Sequence, residues 1–299
     1  MPSVYSQISK NRTKTILLIL VFIGLIVLIG RIIDYFFGSD FAFWFALAFA
    51  TFMPLISYWY SDKIVLGITR AKPIDKSDNP ELYRILENLC IATGLPMPKL
   101  YILEELQPNA FATGRDPKHS AIAVTRGLLE ILDRKELEGV LAHELSHIKN
   151  RDTLVSTIAA VLAGVIITLV DFFLRFGLIF GFRGEDRREG NIFGSIILLA
   201  VLILAPLGAT LLRLAVSRQR EYLADASAAL ITRYPQGLIN ALIKISSNPH
   251  PLKVANHNVN HLFFANPLKE NKTFSFIESL FSTHPPVEKR IEALKSLNI

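Results

Sequence analysis

The stretch from Asp133 to Asp152, DRKELEGVLAHELSHIKNRD, decides how the rest of the chain is interpreted. It contains the pattern H-E-x-x-H, in which His143 and His147 are four positions apart. On a helix, this spacing places the two imidazoles on the same face, where they can bind one zinc ion. Glu144 lies beside them and is the candidate proton acceptor for water activated at that ion.

The flanking residues favour a helix that faces water. Asp133 and Glu136 have the spacing of a capping box, which predicts a helix start just before the motif. Charged residues occupy positions 134, 135, 136 and 138, so the motif is not expected inside a membrane span. Apolar residues recur at helical spacing and predict a core-facing stripe: Leu137, Val140, Leu141, Leu145 and Ile148. The alternative at this point is a helix on which the two histidines are incidental.

Composition indicates a membrane protein. Of the 299 residues, 51% are hydrophobic, and they are clustered. The net charge of +6 could indicate a nucleic-acid partner, but the basic residues lie beside apolar runs, which favours membrane topology and no nucleic acid. Cys90 is the only cysteine, which excludes an internal disulfide and a cysteine-rich zinc site.

Four apolar runs predict four transmembrane helices in two hairpins. After a polar tail (residues 1–14), the first hairpin (residues 15–60) combines a run from Thr15 past Arg31 with a second run, Phe41–Tyr60. The second hairpin (residues 153–213) combines a run from Leu154 to Phe182 with one from Ile192 to Leu212. No small-x-small cleavage site follows the first run, so we expect an uncleaved anchor rather than a signal peptide.

The remaining chain predicts an α+β domain in two parts, residues 61–152 and 214–299. Its first part is expected to contain a helix over 79–92 and three short strands, over 99–103, 109–114 and 121–125, that form a small sheet. Its second part is expected to contain helices over 217–231 and 236–249, and a last helix containing Arg290. The fold class expected is therefore a mainly α membrane protein with an α+β catalytic domain.

Catalytic zinc takes three protein ligands, and Glu221 is the candidate for the third. Asp225 lies one turn further along the same helix, where it could orient a zinc-bound histidine through the other ring nitrogen. The alternative is a solvated helical face paired with nearby arginines. Topology favours the metal site, because His147 precedes the third apolar run and Glu221 follows the fourth, so a membrane hairpin would return both to one surface.

The distribution of basic residues predicts the orientation. Lys10, Arg12 and Lys14 lie before the first run, and Lys63, Arg70 and Lys72 follow the second, whereas the linker between these runs has only Arg31. The positive-inside rule therefore places both termini and the catalytic domain in the cytoplasm, in a cell membrane. The arginines at 183, 187 and 188 conflict with this, unless the first hairpin dominates or the last two runs do not fully cross.

Three motifs together resemble the HtpX family of membrane-bound zinc endopeptidases, relatives of the CaaX prenyl proteases. They are H-E-L-S-H-x-x-N-R-D, S-R-Q-R-E-Y-L-A-D and T-H-P-P-x-x-x-R-I, and the resemblance covers nearly the whole chain. It implies a gluzincin-like site with one Zn²⁺ on His143, His147 and Glu221, and with Glu144 as catalytic base. It also implies cytoplasm-facing proteolysis of misfolded or damaged membrane proteins. An edge strand beside the substrate cleft is implied for Asn109, Ala110, Phe111, Ala112, Thr113 and Gly114.

Some roles stay open at the level of sequence. A tetrahedral oxyanion needs a further donor, which His284 or Arg290 could supply, although both could instead fix the C-terminal helix against the core. A prenyl-protein protease is an alternative function, and a zinc-stabilised membrane scaffold without activity is another. Glu144 argues against the scaffold, because a structural zinc site has no use for a base beside its ligands.

Overall fold

The computed structural model describes residues 4–37, 40–176, 199–200, 203–204, 206, 218–248, 264 and 285–297. Most of them are helical, with one small sheet, as composition and periodicity predict. In chain order the elements are α1 (Val4–Phe37), α2 (Phe41–Ile68), β1 (Lys72–Pro73), α3 (Pro80–Thr93), β2 (Lys99–Leu103), β3 (Ala110–Asp116), β4 (His119–Thr125), α4 (Arg126–Ile131), α5 (Arg134–Lys149), α6 (Asp152–Phe176), α7 (Arg218–Thr232), α8 (Pro235–Ser247) and α9 (Val287–Lys295).

Three described helices are long and apolar enough to cross a membrane. The qualifying segments are Thr13–Ile32 in α1, Phe43–Ile68 in α2 and Asp152–Asp171 in α6. They pack against one another through a shared apolar cluster that includes Leu18, Phe22, Ile26, Ala50, Ile158 and Leu162. These segments confirm the first three apolar runs as candidate spans. The fourth run lies mostly outside the described residues, so a four-span arrangement stays a prediction.

The second membrane helix is longer than its apolar run. The run ends at Tyr60, but α2 continues to Ile68, with a kink at Tyr60 where φ is −114° and ψ is 16°. Val65 and Leu66, beyond the kink, are buried against one face of the sheet. The extension therefore joins the membrane part of the molecule to the water-facing domain, and the charges at Asp62 and Lys63 do not end the helix.

The sheet has four strands in the order β1-β2-β4-β3. β1 and β3 pair antiparallel with their neighbours, whereas β2 and β4 are parallel. Residues of β3 and β4 alternate between two cores, as strand geometry requires. Ala112 and Ile122 face the large core of the domain, whereas Phe111 and Ala123 face the end of α2. The three predicted strands are present within two residues of their expected bounds, and the two-residue β1 was not predicted.

The large core of the domain is formed by α3, α5, α7, α8 and α9 against the sheet. The predicted capping box is confirmed: Asp133 accepts from the backbone N–H of Glu136, and the Glu136 side chain accepts from the backbone N–H of Asp133. It fixes the start of α5, two turns before the H-E-x-x-H pattern. Glycine at 139 lets α5 approach α8 closely, because a Cβ there would lie 2.9 Å from the backbone nitrogen of Leu238.

Candidate metal centre

Three side chains expected to bind zinc lie together at one point of the domain. His143 and His147 come from α5 and Glu221 comes from the first turn of α7, and their ligand atoms all lie within 4.8 Å of one another. The two Nε2 atoms are 3.1 Å apart. Glu221 places Oε2 3.7 Å from the Nε2 of His143 and Oε1 3.6 Å from the Nε2 of His147.

This donor set fits a zinc ion. Two ligand atoms at tetrahedral positions about 2.1 Å from zinc are roughly 3.4 Å apart, and the three separations above lie on either side of that value. Two histidine nitrogens and one carboxylate oxygen form the ligand set of several catalytic zinc sites, which keep a fourth position open. Because all three residues come from helices in the domain core, the site is fixed by packing rather than by a loop.

Each histidine has a carboxylate at the ring nitrogen that faces away from the centre. Nδ1 of His143 lies 2.9 Å from Oδ1 of Asp225, in a bent contact rather than a linear hydrogen bond. Nδ1 of His147 lies 3.2 Å from Oδ2 of Asp152. Such carboxylates hold the ring orientation and leave Nε2 to bind the metal. Asp225 is where the sequence predicted it, whereas the role of Asp152 was missed.

Arg290 secures Asp225 from the other side. Its Nε and Nη2 donate to the two carboxylate oxygens of Asp225 at 2.8 and 2.7 Å, and its Nη1 donates to the carbonyl of Phe264 at 3.1 Å. The guanidinium is almost fully buried and also lies over the Phe264 ring, 4.7 Å from its centroid. Of the two roles considered for Arg290, these contacts support fixing the C-terminal helix. His284 lies outside the described residues.

The surrounding charges shift the proton affinities of the site. Burial alone lowers the pKa of His143, but the carboxylates of Asp225 and Glu221 outweigh it and raise the pKa to about 9. Burial alone raises the pKa of Asp225, but Arg290 and His143 together lower it. In the metal-free protein His143 is therefore protonated at neutral pH, and a metal must displace that proton to bind.

The sheet places an edge beside this centre. Among the described residues, β3 pairs with β4 alone, and the antiparallel register directs the backbone N–H and C=O groups of Ala110, Ala112 and Gly114 away from β4. The carbonyl of Ala110 accepts a hydrogen bond from the backbone of Phe264 at 2.8 Å. The Phe264 ring in turn packs edge-on against His143, with ring centroids 4.9 Å apart. Glu144, the residue after His143 on α5, is buried.

Comparison with known proteins agrees with this geometry. The model of Peptidase family M48 matches residues 76–298. A protease HtpX homologue of Pyrococcus furiosus is 50% identical over 286 residues, 95% of each chain. One of Tropheryma whipplei is 47% identical over 298 residues, 98% of each chain. The crystal structure of S. mikatae Ste24p has a TM-score of 0.51 at 20% identity, over 97% of this chain and 67% of that one, which shows a shared fold.

The match to the family model includes the whole H-E-x-x-H helix, the sheet edge and the helix with Glu221. The full-length relatives extend it over the membrane helices as well. The resemblance found in the three sequence motifs is thereby confirmed, and the chain belongs to peptidase family M48, among its HtpX-type proteases.

Proposed function

We propose that this membrane-bound metalloprotease binds one zinc ion through His143, His147 and Glu221 and hydrolyses peptide bonds there. The observation that carries the proposal is the convergence of the three ligand atoms within 4.8 Å, directly beside the start of a membrane helix. Asp225 and Asp152 support it, because each occupies the outer nitrogen of one histidine. The gluzincin-like arrangement and the four-span topology belong to the same proposal.

The chain's own residues supply the proton transfers. When bound, zinc polarises the scissile carbonyl and lowers the pKa of water to about 7. Glu144 follows His143 directly in the sequence and accepts the proton from the attacking water. It then donates that proton to the leaving amine. Its burial keeps competing water away from the carboxylate.

We further propose that an extended substrate segment pairs with the edge of β3 that no described strand occupies. Ala112 lies two positions after Ala110 along β3, and its backbone N–H and C=O also point away from β4. These two groups offer a donor and an acceptor to an incoming strand. The edge strand is held against the membrane helix α6 by a hydrogen bond of 3.1 Å between the hydroxyls of Thr113 and Thr157. This link supports the delivery of a substrate from the membrane surface to the sheet.

The substrates proposed are misfolded or damaged membrane proteins, cleaved at the cytoplasmic face of the cell membrane as part of quality control. The distribution of lysines and arginines around the first two runs supports the orientation. The position of His147, five residues before the start of α6, supports cleavage close to the bilayer.

Replacing Glu144 with glutamine tests the catalytic assignment. The protein in detergent is incubated with an unfolded model substrate and zinc, and cleavage and zinc content are both measured. We expect loss of cleavage by at least two orders of magnitude with zinc content unchanged, because glutamine cannot accept the proton. Glu138→Gln on the same helix is the matched control, since Glu138 contacts Lys135 rather than the metal centre. Wild-type cleavage by the Glu144→Gln protein would refute the assignment.

Replacing Glu221 with alanine tests the ligand assignment separately. We expect zinc content to fall well below one ion per chain, because two histidines alone hold the ion weakly. Full zinc occupancy in this variant would show that another residue is the third ligand. Zinc bound by the wild-type protein without any cleavage of proteins would instead favour the inactive scaffold.

A further inference from the structure

One side chain of the first membrane helix, that of Asn11, contacts a residue beside the metal centre. Asn11 lies in α1, two residues before its apolar segment, and is buried at 2% exposure. Its Nδ2 donates to the carbonyl of Asn150 at 2.9 Å and to Oδ1 of Asp152 at 2.7 Å. Since both neighbours are acceptors, the two hydrogens of the amide nitrogen are both used. The contacts span about 140 positions of sequence and join α1 to the connection between α5 and α6.

The carboxylate that Asn11 contacts is the one that orients a metal ligand. Asp152 directs Oδ1 towards Asn11 and Oδ2 towards Nδ1 of His147. A carboxylate with one oxygen held in this way cannot rotate about its Cβ–Cγ bond without breaking the Asn11 contact. The ring plane of His147 therefore depends on the amide of Asn11 through a single intermediate residue.

The other contacts described for Asp152 do not fix the orientation of its carboxylate. Nη1 of Arg220 lies 3.8 Å from Oδ1 of Asp152, which is an ion-pair distance too long for a hydrogen bond. Asp152 also begins α6, where the helix dipole favours its negative charge but does not select an orientation of the side chain. The contact from Asn11 is short and comes from a buried donor, so it has the geometry needed to fix the carboxylate.

We propose that Asn11 is a positioning residue of the metal centre: its amide fixes the carboxylate of Asp152, which in turn fixes the imidazole of His147. The inference rests on the proposed zinc site. It makes the first membrane helix a part of the catalytic apparatus rather than an anchor alone. Residues that hold metal-binding histidines in place commonly change metal affinity 10- to 100-fold when replaced.

The test is zinc affinity, measured by competition with a chelator on the full chain in detergent. Asn11→Leu keeps the branching of the side chain at Cγ and removes its donors, and we expect zinc affinity to fall on the order of tenfold. Asn11→Ala should have the same direction of effect, and it serves if the leucine variant does not fold. Thr15→Ala is the matched control on the same helix, because its hydroxyl donates to the carbonyl of Asn11 and, among the described residues, does not contact Asp152. It should bind zinc as the wild type does.

A double-mutant cycle separates positioning from general destabilisation. In an Asp152→Ala background no side-chain acceptor remains between Asn11 and His147, so Asn11→Leu should change zinc affinity less than twofold. A merely structural contribution of Asn11 would lower zinc affinity equally in both backgrounds, which would overturn the inference, as would unchanged zinc affinity in folded Asn11→Leu. If the wild-type protein itself binds no zinc, the proposed function fails first, and the two failures are therefore distinguishable.

Discussion

Replacing Asp225 with asparagine should lower both the free energy of unfolding and the affinity for zinc. The two losses can be measured separately. The substitution removes the carboxylate to which the buried guanidinium of Arg290 donates two hydrogen bonds, although Glu221 and Glu144 still attract its charge. Removing one member of a buried ion pair costs about 3–5 kcal/mol, and we expect the lower end because the asparagine amide still accepts one hydrogen bond. The same change weakens the contact with His143, which should lower zinc affinity about 10- to 100-fold.

Removing Arg290 as well should recover only one of these losses. In Asp225→Asn with Arg290→Met, no buried guanidinium is left without its carboxylate, and the methionine chain can still pack on the Phe264 ring. Replacing both members of a buried pair with groups of similar volume is often nearly neutral. We therefore expect the double variant to regain much of the free energy of unfolding that Asp225→Asn loses, but not the part that Asp225 contributes through His143. Zinc affinity should stay low, because His143 still lacks its carboxylate.

Thermal unfolding in the presence of a chelator measures the first quantity, and zinc competition measures the second. Recovery of zinc affinity together with stability in the double variant would refute the reasoning, because it would show that Asp225 acts on the metal only through folding. If Asp225→Asn unfolds with the same free energy as the wild type, the buried ion pair between Asp225 and Arg290 does not stabilise the fold.

Three further predictions concern the protonation of His143, the backbone conformation at Gly114 and the thiol of Cys90. Because the pKa of His143 in the folded protein, about 9, lies above the ordinary 6.5, its protonation stabilises the metal-free protein fully below about pH 6.5. That contribution is lost as the pH rises through 9, so the unfolding midpoint with chelator should fall over this interval, and the fall should be smaller in His143→Gln. Gly114 has φ of +125° and a Cβ there would lie 2.2 Å from the His119 carbonyl, so Gly114→Ala should cost about 2 kcal/mol or more by chemical unfolding. Gly24→Ala, where nothing lies within 4 Å, should be neutral or stabilising. Burial and Glu87 raise the pKa of Cys90 to about 11, so alkylation at pH 8 should be slow in the native protein and fast after unfolding, and equal rates would contradict the burial.

Local patterns predicted most of the elements that carry the site. Lys99–Leu103 has the predicted bounds, because the strand alternates and is followed by acidic residues that end it. The capping box fixes the start of α5 within one residue, and helical spacing then places His143 above His147. Glu221 could be proposed because the third and fourth apolar runs, if both cross the membrane, would bring two distant polar segments to one surface. In each case the information lies within a few residues or in the order of the apolar runs.

Contacts between distant segments could not be predicted in this way. Nothing near Asn11 in the sequence indicates that its amide meets Asp152, because that meeting depends on how α1 packs beside α6. The continuation of α2 to Ile68 was missed because the hydropathy falls at Tyr60, whereas the helix is sustained by burial of Val65 and Leu66 on the sheet. Asp152 could have been noticed as a carboxylate five positions after His147, but a helix break separates the two.

That break has a consequence for which bonds the enzyme can reach. Only Asn150 and Arg151 separate α5 from α6, and Arg151 has φ of +60°, so the connection is short and allows little change in the distance between the two helices. Even fully extended, two residues span about 7 Å. We therefore expect the proposed metal centre to keep a fixed distance from the start of α6, and so from the membrane that α6 is expected to cross. If an extended substrate leaves the bilayer at about 3.3 Å per residue, we expect the distance from the membrane to select the scissile bond more than the side chains do.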